Sequence, residues 1–249
     1  MVKLAFALLI SYAVLMPAIS RAESLRIATE GAYPPFNFVK NGELEGFDVD
    51  IAKALCAKIS VECTFQAVKW EQIIDGLESD QYDLVVASMA YTKERAARVE
   101  FSAPYYRSHS VLIGDEEYQD SSPAALAGVR IAAETGTIQA DYLKQAYGKS
   151  AIVLAEDQPA AHRLLIEKKV DLLIGDAIEL LSFMETPEGA AFSYVGDPIS
   201  SEFLQSSAHI AAKKGNAALI SRINTALKDI KLDGTYDKIN DAYFPFSIY

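Results

Sequence analysis

Short apolar strands alternate with amphipathic helices along this chain, and the alternation runs through once, restarts after Phe101 and runs through again. Leu25-Arg-Ile-Ala-Thr29 has strand period, and Gly31 to Pro35 breaks it. Asn41-Gly42 marks a hairpin turn between Phe36-Asn-Phe38 and the stretch entering Gly46. Asp48 or Asp50 is expected to cap a helix whose apolar stripe is Ile51, Ala54, Leu55 and Ile59. Cys63 to Ala67 reads as a strand, Glu71 to Glu78 as a helix and Leu84 to Ala87 as a fully apolar strand; Thr92 opens the next helix as its cap. In the second run the strands are Arg130 to Ala133, Ala151 to Leu154 and Leu172 to Gly175. The helices between and after them are Ile138 to Tyr147, Pro159 to Glu167 and Ala177 to Met184. Helices from Asn216 to Lys231 and Tyr236 to Tyr243 complete the chain. Such a pattern predicts two α/β units, each a largely parallel sheet covered by helices. Ligands of such sheets bind at the carboxyl ends of the strands, where Glu30, Tyr33, Trp70, Ser88, Glu134 to Gln139 and Asp176 fall.

The first residues set the expected compartment. Lys3 precedes an apolar run from Leu4 to Met16, and small residues lead to Ser20-Arg21-Ala22. A charged start, a short apolar core and small residues at the junction describe a secretory signal, residues 1–22, cleaved after Ala22. The run is shorter than the roughly 20 helical residues that span a bilayer, and no cysteine at the junction offers itself for lipid. Cleavage leaves 227 residues with 21 Lys and Arg against 34 Asp and Glu, a net charge of −13. That charge repels phosphate backbones and argues against nucleic acid as a partner. It suits a cationic ligand, although a solvated acidic surface gives the same balance.

Cys56 and Cys63 are the two cysteines of the chain, and in an oxidising compartment such a pair reads as a disulfide. With no nearby His they argue against zinc. His109, His162 and His209 form no spaced nucleophile or metal motif. No cofactor, metal or catalytic residue is expected.

Ile27-Ala-Thr-Glu-Gly-Ala-Tyr-Pro-Pro-Phe36 followed by Gly46-Phe-Asp-Val-Asp-Ile-Ala52 resembles the family 3 periplasmic solute-binding proteins, the polar amino-acid receptors of ABC importers. The likeness continues through Tyr82-Asp-Leu-Val-Val-Ala-Ser-Met89, Thr92-Lys-Glu-Arg95, Phe101-Ser-Ala-Pro-Tyr105 and Asp233-Gly-Thr-Tyr-Asp-Lys238. The cysteine pair matches the lysine/arginine/ornithine- and histidine-binding branch, and the opening Ala-Thr-Glu-Gly-Ala-Tyr is similar to its octopine and nopaline receptors. The resemblance implies a two-lobed clamshell of type II, each lobe a mixed, mostly parallel sheet flanked by helices. The first lobe is expected from 23–107 and 208–249, the second from 108–207, with hinge crossings near 107–110 and 200–208. It further implies a monomer in the periplasm that delivers an amino-acid-like ligand to a permease in the inner membrane.

Residue by residue, Arg95 matches the family arginine that grips the ligand α-carboxylate, as a guanidinium fork can. Without the resemblance it is a solvent arginine in a helix first turn, where the macrodipole disfavours a cation. The backbone amides of Ser88 and Ala90 are expected to share that carboxylate, with Ala87 and Met89 on the same strand end. Asp176 matches the aspartate that takes the α-ammonium; on spacing alone it is a helix cap. Tyr33 and Trp70 match the aromatic walls, and an indole face attracts a cation. Glu30 occupies the position that meets a distal cation. Glu134 stands where an apolar or small residue is expected, either adding a second negative charge to the cleft or pointing to solvent. Thr135-Gly-Thr-Ile-Gln139 resembles the family turn that offers backbone donors, with Thr137, Ile138 and Gln139 as contacts.

Ala90 departs from the usual Ser or Thr, and Ala87 from a common Ser; a site short of acceptors near the amine favours an N-substituted ligand such as an arginine-derived opine. Two alanines are also ordinary packing. The enzyme alternative on this architecture is a cyclohexadienyl or arogenate dehydratase, with Glu134 drafted as general acid. Against it, Glu30 and Asp176 repel a carboxylate-rich substrate. A receptor for another polar amino acid is the remaining alternative.

Overall fold

The computed structural model describes residues 24–204 and 207–249. The expected signal segment, residues 1–22, lies outside them, as do Gln205 and Ser206 within the second expected crossing. The chain begins with β1 (Ser24–Thr29) and a small antiparallel sheet of β2 (Ala32–Tyr33), β3 (Asn37–Lys40) and β4 (Glu43–Glu45). Helix α1 (Phe47–Lys58), β5 (Glu62–Ala67), a 3-10 turn at Trp70–Gln72 and α2 (Ile73–Glu78) follow. Then come β6 (Leu84–Ala90), α3 (Lys93–Arg98) and the long β7 (Val99–Arg107). The second run holds β8 (Ser110–Gly114), β9 (Arg130–Glu134), α4 (Ile138–Ala146), β10 (Ala151–Ala155) and α5 (Gln158–Ile166). It continues with β11 (Leu172–Asp176), α6 (Ala177–Met184) and β12 (Ser193–Ile199). The chain closes with β13 (Ser207–Lys213), α7 (Ala217–Leu232) and α8 (Thr235–Tyr243).

Two five-stranded sheets define two lobes, ordered β5-β1-β6-β13-β7 and β10-β9-β11-β8-β12. β1 runs parallel to β5 and β6, and β9 runs parallel to β10 and β11. β13 is antiparallel to β6 and β7, and β8 is antiparallel to β11 and β12. The antiparallel strands are those the strand–helix alternation leaves unassigned. They carry the chain between the sheets, and of the four only β13 leads straight into a helix, α7. The chain leaves the first sheet at Arg107 and enters the second at Ser110, then returns to the first along β13.

Both faces of each sheet are covered, which is why the central strands read as continuous apolar runs. Leu84, Val85, Val86 and Ala87 are all buried, as are Leu172, Leu173 and Ile174. Ile27, Val86 and Ile210 pack under α1, α7 and α8 with Ile51, Leu55, Ile223 and Tyr236. On the opposite face Val85 and Met89 meet Ile73, Leu77 and Tyr82. The Cys56–Cys63 disulfide ties the end of α1 to β5. Among the described residues, no helix is long and apolar enough to cross a membrane.

The first helix departs from expectation at its start. Neither Asp48 nor Asp50 caps it; the N-cap position is Gly46, which makes no side-chain cap. Gly46 lies at φ 123°, and a Cβ there would fall 2.3 Å from the Phe36 carbonyl oxygen, so only glycine fits this approach. Asp48 sits inside the first turn, fully buried, and accepts from Tyr105 Oη at 2.6 Å, Asn37 Nδ2 at 2.8 Å and Ser88 Oγ at 2.9 Å. Burial pushes its carboxyl up to about 6, against the opposing pull of those three donors. Asp48→Ala strips a partner from three donors at once and is expected to cost about 3 kcal/mol or more of unfolding free energy. Equilibrium urea unfolding measures this, and a loss below about 1 kcal/mol would contradict the assigned role.

Candidate functional site

The carboxyl ends of β1, β6, β9 and β11 converge on a cavity of about 70 Å³ between the lobes. Glu30, Tyr33, Trp70, Ala87, Ser88, Ala90 and Arg95 line it from the first sheet's side. Glu134, Thr137, Ile138, Gln139 and Asp176 line it from the second. Met89 is the exception among the expected residues. It is 0% exposed and packs with Ile73 and Tyr82, because strand alternation turns it away from the face of Ser88 and Ala90. Tyr106, Ser108, Ser110, Ser207 and Ala208, which were not among the expected contacts, complete the lining together with His109, which lies near the first expected crossing. All but Tyr106 lie in the segments expected to cross between lobes, and that position was the available signal.

Arg95 owes its place to the start of α3. Thr92 Oγ1 accepts from the Arg95 amide at 3.0 Å, so the cap residue fixes the turn from which the guanidinium leaves. Arg95 Nη1 donates to the Ala90 carbonyl at 2.9 Å and Nη2 to the Gly136 carbonyl at 3.0 Å. Its Cζ lies 5.1 Å from the centroid of the Trp70 ring. Trp70 Nε1 donates to the same Gly136 carbonyl at 3.1 Å, so one oxygen of the second lobe takes two donors from the first. Gly136 presents that oxygen from a backbone at φ 75°, in the left-handed region that favours glycine. Burial lowers Arg95 to about 10, which leaves it cationic at neutral pH.

Ser88 is placed differently from expectation. Its amide donates to Tyr105 Oη at 2.9 Å and its hydroxyl to Asp48, so both donors turn toward the core instead of toward a carboxylate in the cavity. The cause is local: Ser88 lies at φ 54°, a left-handed kink just before the end of β6. Asp176 is the helix cap that spacing alone suggests, and it also faces the cavity. As N-cap of α6 its Oδ1 accepts from Ser108 Oγ at 2.8 Å, Ile178 N at 2.9 Å and Glu179 N at 3.3 Å, while the residue lines the cavity. Burial raises its carboxyl to about 6 against those bonds.

Glu134 faces the cavity and not solvent. It is 4% exposed, Glu30 is 9% exposed, and the two carboxyls are within hydrogen-bonding reach of each other. Burial pushes Glu30 up to about 7; burial and then the neighbouring Glu30 charge push Glu134 up to about 10. Thr137 caps α4, accepting from Ala140 N at 3.1 Å, and donates its hydroxyl to the Glu134 carbonyl at 2.7 Å. Gln139 Nε2 donates to Ser110 Oγ at 3.0 Å. Tyr33 is stacked on Phe36 with centroids 5.8 Å apart, and Phe36 on Tyr106 at 4.7 Å, so the aromatic wall is continuous with the core. Among the described residues, no group of three or more His, Cys, Asp or Glu is placed to hold a metal ion.

A two-lobed α/β clamshell with a polar cavity between its sheets is the architecture of a solute-binding protein. The profile of the bacterial extracellular solute-binding proteins, family 3, matches residues 25–246, and the chain belongs to that family. The ABC transporter arginine-binding protein 1 of Escherichia coli (strain K12) is 34% identical over 229 residues, covering 91% of this chain and 93% of that protein. The solved structure of an ancestral arginine-binding protein bound to arginine superposes with a TM-score of 0.82 at 32% identity, covering 89% of this chain and 98% of that one. An ancestral amino acid-binding protein, a precursor of cyclohexadienyl dehydratase, matches with a TM-score of 0.80 at 29% identity, covering 89% and 95%.

Asp176 carries a testable conflict between stability and site chemistry. Its folded carboxyl titrates near 6, above the ordinary value of 3.8, so its stabilising contribution is present below the ordinary value and lost as pH rises through about 6. Asn caps helices as well as Asp does. Asp176→Asn is therefore expected to raise the ligand-free melting midpoint by roughly 3 °C at about pH 8, with the gain fading toward about pH 4. A midpoint that falls at both pH values would show that the charge stabilises the free protein.

Proposed function

We propose that the protein is the receptor of an ABC importer, capturing a cationic amino acid or an arginine-derived opine between its lobes and presenting it to a permease. One observation carries the reading. The cavity lining sets three carboxyl residues, Glu30, Glu134 and Asp176, against one guanidinium, Arg95. A ligand with one carboxylate and two cationic centres complements that set. Arg95 holds the carboxylate with the donors not spent on Ala90 and Gly136. Asp176 takes the amine, Tyr33 and Trp70 flank the chain, and Glu30 meets the distal cation. The Escherichia coli arginine-binding relative and the arginine-bound ancestral structure support arginine as the type of ligand.

The receptor acts in the periplasm as a monomer, after cleavage of residues 1–22. The lobes comprise 23–107 with 208–249, and 108–207; they close about crossings near 107–110 and 200–208. Substrate chemistry is not part of this reading. The dehydratase alternative keeps one specific support, a buried carboxyl at Glu134 that holds its proton as a general acid must. The acidic lining opposes it, because a substrate rich in carboxylates meets Glu30 and Asp176.

A thermal-shift screen of the mature protein tests these readings together, since a ligand that binds the folded state raises the midpoint by mass action. Arginine, lysine, ornithine or an arginine-derived opine is expected to give the large shift. A shift with prephenate accompanied by product formation, and none with the cationic ligands, would move the chain to the enzyme class. Arg95→Ala is expected to weaken arginine binding by roughly tenfold or more, through loss of a charge-assisted pair, and undiminished affinity would remove Arg95 from the site. Trp70→Ala is expected to cost cationic ligands more than neutral ones, read by calorimetric titration of arginine and glutamine. Equal losses would count against attraction between the indole face and the cation.

A further inference from the structure

We propose that Glu134 is the second carboxylate of the distal-cation site, acting with Glu30 to select a guanidinium over an ammonium group and exchanging a shared proton for the ligand's charge on binding. The inference rests on the receptor reading above and adds to it a specificity residue and a proton. Glu30 follows β1 in the first lobe and Glu134 ends β9 in the second, so each lobe contributes one carboxyl to the pair. Both side chains line the cavity, and both residues are more than nine-tenths buried. Among the described residues, neither Oε1 receives a hydrogen bond from any donor. Two ionised carboxylates side by side without water or a cation cannot persist, so the pair needs positive charge between its members.

The surroundings do not supply that charge. Asp157 before α5 and Glu179 of α6 add negative potential at both members of the pair, and Tyr33 of β2 lies in the field of Glu134, Glu179 and Asp176 at the end of β11. His162 lies 3.2 Å from Glu179 and stacks on Phe183, which aims it at that carboxyl. His109 lines the same cavity. Arg95 feels the Glu134 charge, but two of its amino groups are committed to the Ala90 and Gly136 carbonyls. In the ligand-free protein a proton shared between Glu30 and Glu134 satisfies the pair. A guanidinium is planar and offers five donors in a fixed fork, enough to serve two carboxylates at once. An ammonium is a compact charge with three donors and a stronger hold on its water. The double carboxyl therefore favours the guanidinium. As it enters, the pair ionises fully: the carboxyl O–H bond breaks, the proton passes to water or buffer, and no bond between heavy atoms changes. Binding that releases a proton strengthens as pH rises, so arginine affinity is expected to weaken below neutrality.

Titration calorimetry of the mature protein with arginine, lysine and ornithine, in phosphate and in Tris at about pH 7.5, tests this through proton linkage. The difference in observed enthalpy between the buffers counts the protons released. About one proton per arginine is expected from the wild type and close to none from Glu134→Gln. The same substitution should lower arginine affinity by roughly tenfold while changing lysine less, so that the preference for arginine collapses. Identical enthalpies in the two buffers for the wild type, a measurement that needs no variant, would overturn the proton exchange. An unchanged arginine-to-lysine ratio in a folded Glu134→Gln protein would overturn the specificity role and leave the receptor reading standing. No binding of arginine, lysine or ornithine by the wild type would overturn the receptor reading, and this inference with it.

Discussion

Parallel strands end where their following helices begin, and that constraint places most of the cavity. Because β1 and β6 run the same way in one sheet and β9 and β11 in the other, Glu30, Ser88, Glu134 and Asp176 all emerge at strand ends facing one space. Helix starts then serve as site walls. Thr92, Thr137 and Asp176 are caps, and each positions a cavity residue: Arg95, Ile138 or Asp176 itself. The hub at Asp48 anchors this edge from behind. It ties β3 through Asn37, β6 through Ser88 and β7 through Tyr105 to the first turn of α1. A side chain that sequence suggested as a helix cap is thus a joint between four elements of the first lobe.

The cavity is held against its own electrostatics. Glu30, Glu134 and Asp176 each have a carboxyl that burial makes easier to protonate, while Arg95 is made easier to deprotonate. Each shift records the cost of keeping charge away from water. Surface pairs such as Arg26–Asp83 and Arg130–Asp171 repeat one device in both lobes. In each, an arginine near the start of the first parallel strand meets the aspartate that precedes a neighbouring strand. These exposed pairs contribute little stability individually. The sheets and their apolar faces carry the fold, and that lets the cavity edge remain unfavourable without undoing it.

The helix-linked strands were legible because their signals are local. A run such as Leu172-Leu-Ile-Gly175 ahead of an amphipathic helix needs no tertiary information, and neither does a Thr92 cap. β7, β8, β12 and β13 were not legible as strands. They pair antiparallel with partners distant in sequence, and nothing in their own patterns marks register. At the site, residues that follow strands could be named, but the direction of a side chain could not. Met89 turns inward by simple alternation, which the apolar run around it concealed. The kink at Ser88 spends its amide on Tyr105, and no local motif announces a left-handed serine in a strand. The facing of Glu134 depends on how two lobes meet, information that belongs to neither strand alone.

The lobes meet at two kinds of contact, and their signs differ. Near Trp70 the Gly136 carbonyl accepts from the indole and from Arg95, an attraction that needs no ligand. At Glu30 and Glu134 the lobes bring together carboxyls that repel unless a positive charge intervenes. A closed arrangement therefore carries its own latch together with an opposing charge pair. A ligand shifts such an equilibrium only by binding one state better than the other. A cation seated between the carboxyls has that differential affinity by construction, since each lobe contributes one of them. Its charge takes the place of the shared proton while the latch at Gly136 is unchanged, so recognition and closure draw on the same pair of side chains.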